Sequence, residues 1–139
     1  MTSLPDDITA LLEASLAEGH NLVKRLVEEW DDGSNRFDLP GEIVLEARLG
    51  HELVGVGGLN RDPYLDDPAV GRIRHLYVLP AARRQGVGRS LVLALIDQAR
   101  PTFRRVRLRT IQPEAFRFYL ALGFEETGDE PDATQVFRL

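Results

Sequence analysis

Two arginines, Arg83 and Arg84, stand just ahead of two glycines, Gly86 and Gly88, and Arg89 follows at once. Residues of these types in this order suit an anion. Arginine carries a permanent positive charge on a fork of donors, and a glycine removes the side chain that would hold an oxyanion away from the backbone. The surrounding stretch, Leu76-Tyr77-Val78-Leu79-Pro80-Ala81-Ala82-Arg83-Arg84-Gln85-Gly86-Val87-Gly88-Arg89-Ser90, reads as the end of a strand, a loop and the start of a helix. The unpaired N–H groups and positive dipole end of that helix face the loop, where they can take phosphate oxygens. The same spacing also fits a plain strand–loop–helix joint with solvated arginines. Two phosphate motifs are excluded. A P-loop needs Gly-Lys-Ser/Thr, and here Gly88 is followed by Arg89-Ser90; the dinucleotide fingerprint needs a third glycine, and Ser90-Leu91 occupy the end of that frame.

The elements that must hold this stretch follow from periodicity. Apolar residues recur at helical spacing over residues 8–30 (Ile8, Leu11, Leu12, Leu16, then Leu22, Val23, Leu26, Val27, Trp30), with a break at Gly19-His20-Asn21. Residues 43–49 alternate as a strand, Gly50-His51 turns the chain, and residues 52–59 return. A polar loop leads to a third strand over 72–79, which Pro80 stops. Residues 86–100 form an amphipathic helix with Val87, Leu91, Leu95 and Ile96 on one stripe. A fourth strand holds Val106 and Leu108, Pro113 opens a further helix that Gly123 ends, and 124–127 with 134–139 make a closing hairpin. The order α-α-β-β-β-α-β-α-β-β predicts a mixed α/β sheet in one domain spanning 1–139.

Composition narrows the function. The 139 residues are 43% hydrophobic and 28% charged, ordinary for a globular domain. The net charge of −5 disfavours nucleic acid as a partner, yet arginines cluster in the middle of the chain, which suggests a small anionic ligand bound at one place. No apolar run approaches the roughly 20 residues of a membrane helix, and the start at Met1-Thr2-Ser3 lacks a signal peptide's basic and apolar regions. There is no cysteine, and His20, His51 and His75 stand at no ligand spacing, so a metal site is not expected. The expectation is a cytoplasmic, metal-free protein with no membrane or nucleic-acid partner; a homodimer stays open.

The loop resembles the acyl-CoA loop of the GNAT N-acetyltransferases, R/Q-x-x-G-x-G/A, here Arg83-x-x-Gly86-x-Gly88. The preceding Leu-Tyr-Val-Leu-Pro is similar to that family too. So is Ala115-Phe116-Arg117-Phe118-Tyr119-Leu120-Ala121-Leu122-Gly123-Phe124, which matches A-x-x-F/Y-Y-x-x-x-G-F. The resemblance covers residues 42–139 and is weak before them. It implies an α/β (α+β) fold with a mixed central sheet, splayed between two parallel strands at 72–79 and 104–110 and flanked by helices. It implies acetyl-CoA as co-substrate and an amine as acceptor, acylated by direct attack. Backbone groups of Leu76, Tyr77 and Val78 would bond the pantetheine arm, and the amides and side chains of Arg83, Arg84, Gln85, Gly86, Val87, Gly88, Arg89 and Ser90 would hold the pyrophosphate. Gln112 and Phe116 would also face CoA, Gln112 standing where many relatives have Asn. Tyr119 resembles the family's general acid: a phenol of pKa about 10 stays protonated at neutral pH and can donate to a departing thiolate. A core aromatic on an amphipathic helix fits Tyr119 as well.

The family pattern also breaks. Many relatives carry a glutamate base where this chain has Arg72, and arginine is no base at neutral pH. Arg72 and Arg74, beside Asn60 and Arg61, can instead receive an anionic group of the acceptor, or can pair with Glu42, Glu46 or Asp62. The base is open among Glu42, Glu46, His75 and an ordered water, with His75 expected on the strand face opposite Arg72 and Arg74. The family opens with a strand, whereas residues 8–30 read as helix; there Glu28, Glu29, Trp30 and Asn35-Arg36-Phe37 can touch the acceptor, Trp30 also suiting the core. A non-catalytic acyl-CoA-binding module is the alternative.

Overall fold

The computed structural model describes residues 3–139; the reading of the start at Met1 and Thr2 lies outside them. Two helices come first, α1 (Ile8–Ala17) and α2 (Leu22–Asp32). Gly33 ends α2 with φ of 79°, a left-handed cap that glycine takes without strain. Then follow β1 (Ile43–Leu49), β2 (Glu52–Arg61), β3 (Val70–Val78), α3 (Val87–Ala99), β4 (Arg105–Leu108), α4 (Pro113–Ala121), β5 (Glu125–Glu126) and β6 (Gln135–Arg138). A short 3-10 turn, Pro80–Ala82, joins β3 to the loop before α3. Element order is as the periodicity predicts. No strand precedes α1 among the described residues, so the opening strand expected of the family is not there.

The six strands form one sheet in the order β1-β2-β3-β4-β6-β5, with β3 and β4 parallel and the other neighbours antiparallel. Both faces are covered. Leu59, Ile73, Val106 and Leu108 pack against α3 residues Val92, Leu95 and Ile96 and against Tyr119 of α4. On the other face Val44, Val56 and Tyr77 pack against Leu11 of α1 and Val23, Leu26 and Trp30 of α2.

Two irregularities in β3 shape everything that follows. The first is that β3 pairs with β4 only at Val70, Gly71 and Arg72, because β4 is short and the strands then separate. Residues 73–78 therefore keep one edge unpaired. The second is a bulge. The β2–β3 register runs Gly58↔Arg74 on one side and Val56↔Tyr77 on the other, so His75 and Leu76 together oppose Gly57. His75 takes φ of 59°, uncommon for a residue with a side chain.

Candidate active site

The open edge of β3 and the start of α3 meet at one end of the sheet. Leu79 N–H donates to Val54 O at 2.8 Å, which fixes the alternation of β3 against β2. Tyr77, in register with Val56, turns its backbone to β2; Leu76 and Val78 turn theirs to the unpaired edge. Arg83 Nε donates to the Val78 carbonyl at 3.0 Å, which confirms that this group faces outward from the sheet. Of the three residues read as backbone contacts, Leu76 and the Val78 N–H thus face the open edge, the Val78 carbonyl being taken by Arg83, and Tyr77 does not.

Past the 3-10 turn, Arg84 and Gly86 both take left-handed backbone, with φ of 66° and 81°. That loop delivers the chain into α3 with Gly86 as N-cap and no side chain capping it, so the first-turn amides at Val87, Gly88 and Arg89 are left for a ligand. A Cβ on Gly88 would meet Phe118 at 3.5 Å and Val78 at 3.8 Å, which brings α3, α4 and β3 together at this point. The Arg84 and Arg89 side chains are exposed, and the ion pairs among the described residues do not involve them. Ser90 is exposed beside them, and Gln85 Nε2 donates to the Ala81 carbonyl at 3.2 Å.

Arg83 is placed differently from the pyrophosphate-holding cation the resemblance implies. Its guanidinium grips Glu18, at the end of α1, through Nη1 at 2.9 Å and Nη2 at 2.6 Å, and it lies over the Tyr77 ring at 5.6 Å. The Tyr77 hydroxyl donates to the same carboxylate at 2.5 Å. Arg83, then Tyr77, hold the Glu18 carboxyl below its usual range, while burial and then Glu18 push the Tyr77 phenol up to about 12. Nothing in the sequence pairs Glu18 with a residue so distant in the chain, and this contact escapes sequence reasoning.

Tyr119 lies under the separated strands, 6% exposed, its ring 5.1 Å from that of Phe118 and 5.2 Å from that of Phe124. Burial raises its phenol above the ordinary value of 10 and is the whole cause. Gln112 and Phe116 line one shallow cleft of about 240 Å³ with Thr110, Ile111, Pro113 and Arg117.

The face under α1 and α2 carries the arginines. Arg72 is buried, with Nη1 3.4 Å from Asp62 Oδ2, Nη2 donating to Asp132 O at 2.7 Å, and its guanidinium 4.7 Å above the Tyr64 ring. Of the partners open to it from sequence, Asp62 is the one taken. Arg107, fully buried, donates to the same carboxylate oxygen through Nε at 2.9 Å. Arg61 N–H donates to Glu42 at 2.8 Å and its side chain lies 3.9 Å from Asp66. Asn60, in register with Arg72, is buried with Oδ1 lacking a partner. Arg74 approaches Glu29 of α2 at 3.6 Å, and His75 Nε2 approaches the other Glu29 oxygen at 3.4 Å. His75 was expected on the face opposite Arg74. The bulge inserts a residue between Arg74 and Tyr77, breaks the alternation, and turns both side chains toward α2. Glu46 hydrogen-bonds Arg48 at 3.1 Å instead of reaching this region, and Trp30 sits in the core as its size suggests. Phe37 lies edge-on to His75, ring centroids 6.0 Å apart.

Comparison with known proteins agrees with this geometry. The family model described as "Acetyltransferase (GNAT) family" matches residues 7–124. Among solved structures, a protein from Exiguobacterium sp. 255-15 described as an acetyltransferase is 31% identical, with a TM-score of 0.81 over 92% of this chain and 82% of that one. The ribosomal-protein-alanine N-acetyltransferase of Brucella melitensis is 20% identical, with a TM-score of 0.73 over 99% and 97%. The protein yncA of Salmonella typhimurium, described as an acetyltransferase and solved with its cofactor acetyl-CoA, is 19% identical, with a TM-score of 0.61 over 84% and 73%. A mixed sheet parted between two parallel strands, an uncapped helix start beside the gap, and a family match over most of its length lead to one conclusion: the chain belongs to the GNAT acetyltransferase family.

Proposed function

We propose that this protein moves an acetyl group from acetyl-CoA to the primary amine of a small acceptor, both substrates being held at once. The observation that carries the reading is the unpaired edge of residues 73–78 running directly into the uncapped start of α3. That edge is about 17 Å long at about 3.3 Å per residue, and offers backbone partners to an extended chain with amide groups. The amides of Val87, Gly88 and Arg89, with Arg84 and Arg89, suit a diphosphate. Gly86 and Gly88 leave the approach clear: a Cβ at Gly86 meets nothing within 4 Å, and one at Gly88 meets only ordinary contacts. The residues therefore fit acetyl-CoA, in line with the acetyl-CoA complex of the Salmonella relative.

Acetyl-CoA supplies a thioester, whose carbonyl carbon bonds the amine nitrogen as its carbon–sulfur bond breaks. Leu76 and Val78 orient that chain along β3. Tyr119 donates its phenolic proton to the departing sulfur. Its burial, which makes the phenolate costly, makes a thiolate beside it costly too, so handing over the proton exchanges one disfavoured anion for another. The amine nitrogen loses its proton to solvent, and the Tyr119 phenolate regains one from solvent, so that an amide and the free CoA thiol are the products. Arg74, half-buried and held by Glu29 at only 3.6 Å, is better placed to meet an acidic group on the acceptor than Arg72, which Asp62 and Asp132 already occupy.

Calorimetry with acetyl-CoA and release of free thiol across a panel of amines and amino acids test the reading. Binding with thiol release for some amine supports it. Binding without consumption by any amine would make the protein an acyl-CoA-binding module, a reading that the arginine at position 72 keeps in view.

A further inference from the structure

Glu18 stands at the wrong end of α1 for that helix alone. It is the C-cap residue, and a carboxylate beside the negative end of a helix dipole is disfavoured. Docking α1 does not need it either, since Ile8, Leu11 and Leu12 already pack into the core. What Glu18 does fix is Arg83. It takes both Nη atoms, at 2.9 and 2.6 Å, in the forked geometry that suits a guanidinium and a carboxylate. With the guanidinium held there and resting over the Tyr77 ring, Nε lies on the Val78 carbonyl at 3.0 Å. Val78 is the last residue of β3, and its carbonyl belongs to the unpaired edge. Arg83 therefore occupies the end of that edge nearest α3, where a ligand spanning edge and helix has to pass.

We propose that Glu18 and Arg83 form a latch that acetyl-CoA has to open. This rests on the acetyltransferase reading and adds a control on its cofactor site. In the free protein Arg83 lies on Glu18 and across the end of the edge; in the loaded protein it turns to the diphosphate. The pair is open enough to exchange, with the Arg83 side chain 42% exposed and that of Glu18 28%. A diphosphate carries more charge than a carboxylate and accepts the same fork of N–H donors, so it competes for Arg83 directly. Once Arg83 leaves, an amide N–H of the ligand can take the Val78 carbonyl. Glu18 then keeps only the Tyr77 hydroxyl. Occupancy of the cofactor site is thereby passed to the end of α1, on the sheet face where Arg74 and Glu29 lie.

The test is calorimetry with acetyl-CoA in dilute buffer, where screening is weakest. Glu18→Gln keeps the side chain's shape and an oxygen for Tyr77, but gives up the charge that holds Arg83. It should bind acetyl-CoA about three- to fivefold more tightly than the wild type, the worth of a part-exposed ion pair. Removing a negative charge near a polyanion also helps by itself, so the change is repeated on Arg83→Gln. There E18Q should add nothing, because no latch is left to release. A second reading needs no variant. The amides of Glu18, Gly19 and His20, which close the end of α1, should exchange hydrogen faster once acetyl-CoA is bound to the wild type. No gain or a loss in E18Q would make Glu18 a tether of α1. An equal gain on R83Q would make the effect one of net charge, and unchanged or slower exchange at the end of α1 would show that nothing is released. Each of these overturns the latch while leaving acetyl transfer intact. Failure of acetyl-CoA to bind at all would remove the acetyltransferase reading, and the latch with it.

Discussion

A methyl group at position 88 would meet only ordinary contacts, and Gly88 lies in the first turn of α3 where alanine is the better helix former. The fold by itself gains nothing from glycine there. Gly88→Ala should leave stability unchanged or raise it by up to about 1 kcal/mol, while acetyl-CoA affinity in calorimetry falls about tenfold or more (about 1.4 kcal/mol). Losses in both would make Gly88 a packing residue. Tyr119 invites a cleaner split. Tyr119→Phe removes only the hydroxyl from a ring packed against Phe118 and Phe124. Steady-state kinetics should show kcat down about 100-fold, with acetyl-CoA affinity nearly unchanged; an active variant would leave the tyrosine a core aromatic. His75 makes a prediction about stability. Its folded value, about 3, lies below the ordinary 6.5, so between those limits the unfolded chain binds the extra proton and stability falls as pH falls. Relative to His75→Asn, which tolerates the left-handed backbone, the wild type should lose about 2 kcal/mol between pH 7 and pH 5, read from denaturant curves.

At the scale of elements, much was legible. The switch from period 3.6 to period two gave the order of helices and strands, and the arginine–glycine spacing located the start of α3. The limits of that reading have physical reasons. One extra residue in β3 is invisible in a pattern of alternation, yet it moved His75 to the other face, and no glycine marked the positive φ. The ends of strands shifted as well: β3 runs Val70–Val78 and β4 only Arg105–Leu108, because pairing, which sequence does not display, decides where a strand stops. Ion pairs were the least legible, since Asp62 sits in a loop and its partner Arg107 is remote in sequence. That pair should matter. Asp62→Asn removes the closer counter-charge of the buried Arg107, leaving it Glu130 at 3.4 Å, and should cost about 3 kcal/mol in equilibrium unfolding; a change within about 0.5 kcal/mol would show that Glu130 alone satisfies the charge.

Across the whole molecule, a net charge of −5 coexists with a basic centre, and the structure shows how. Arg72 and Arg107 share Asp62, Arg74 meets Glu29, Arg83 meets Glu18, and Arg105 meets Glu130 at 2.8 Å. Half of the ten arginines from Arg72 to Arg109 thus serve as framework, tying α1, α2 and the final hairpin onto the sheet. Arg84 and Arg89, which flank the α3 start, are exposed and outside these pairs. None of the helices formed by the described residues is long and apolar enough to cross a membrane. The central claim is that the edge of β3 and the first turn of α3 hold one ligand between them. Backbone amide hydrogen exchange, resolved by residue with and without acetyl-CoA, tests it directly. The account predicts new protection at Leu76, Val78, Val87, Gly88 and Arg89, with Tyr77, already bonded to β2, unchanged. Protection confined to other segments, or none at all at saturating acetyl-CoA, would contradict it.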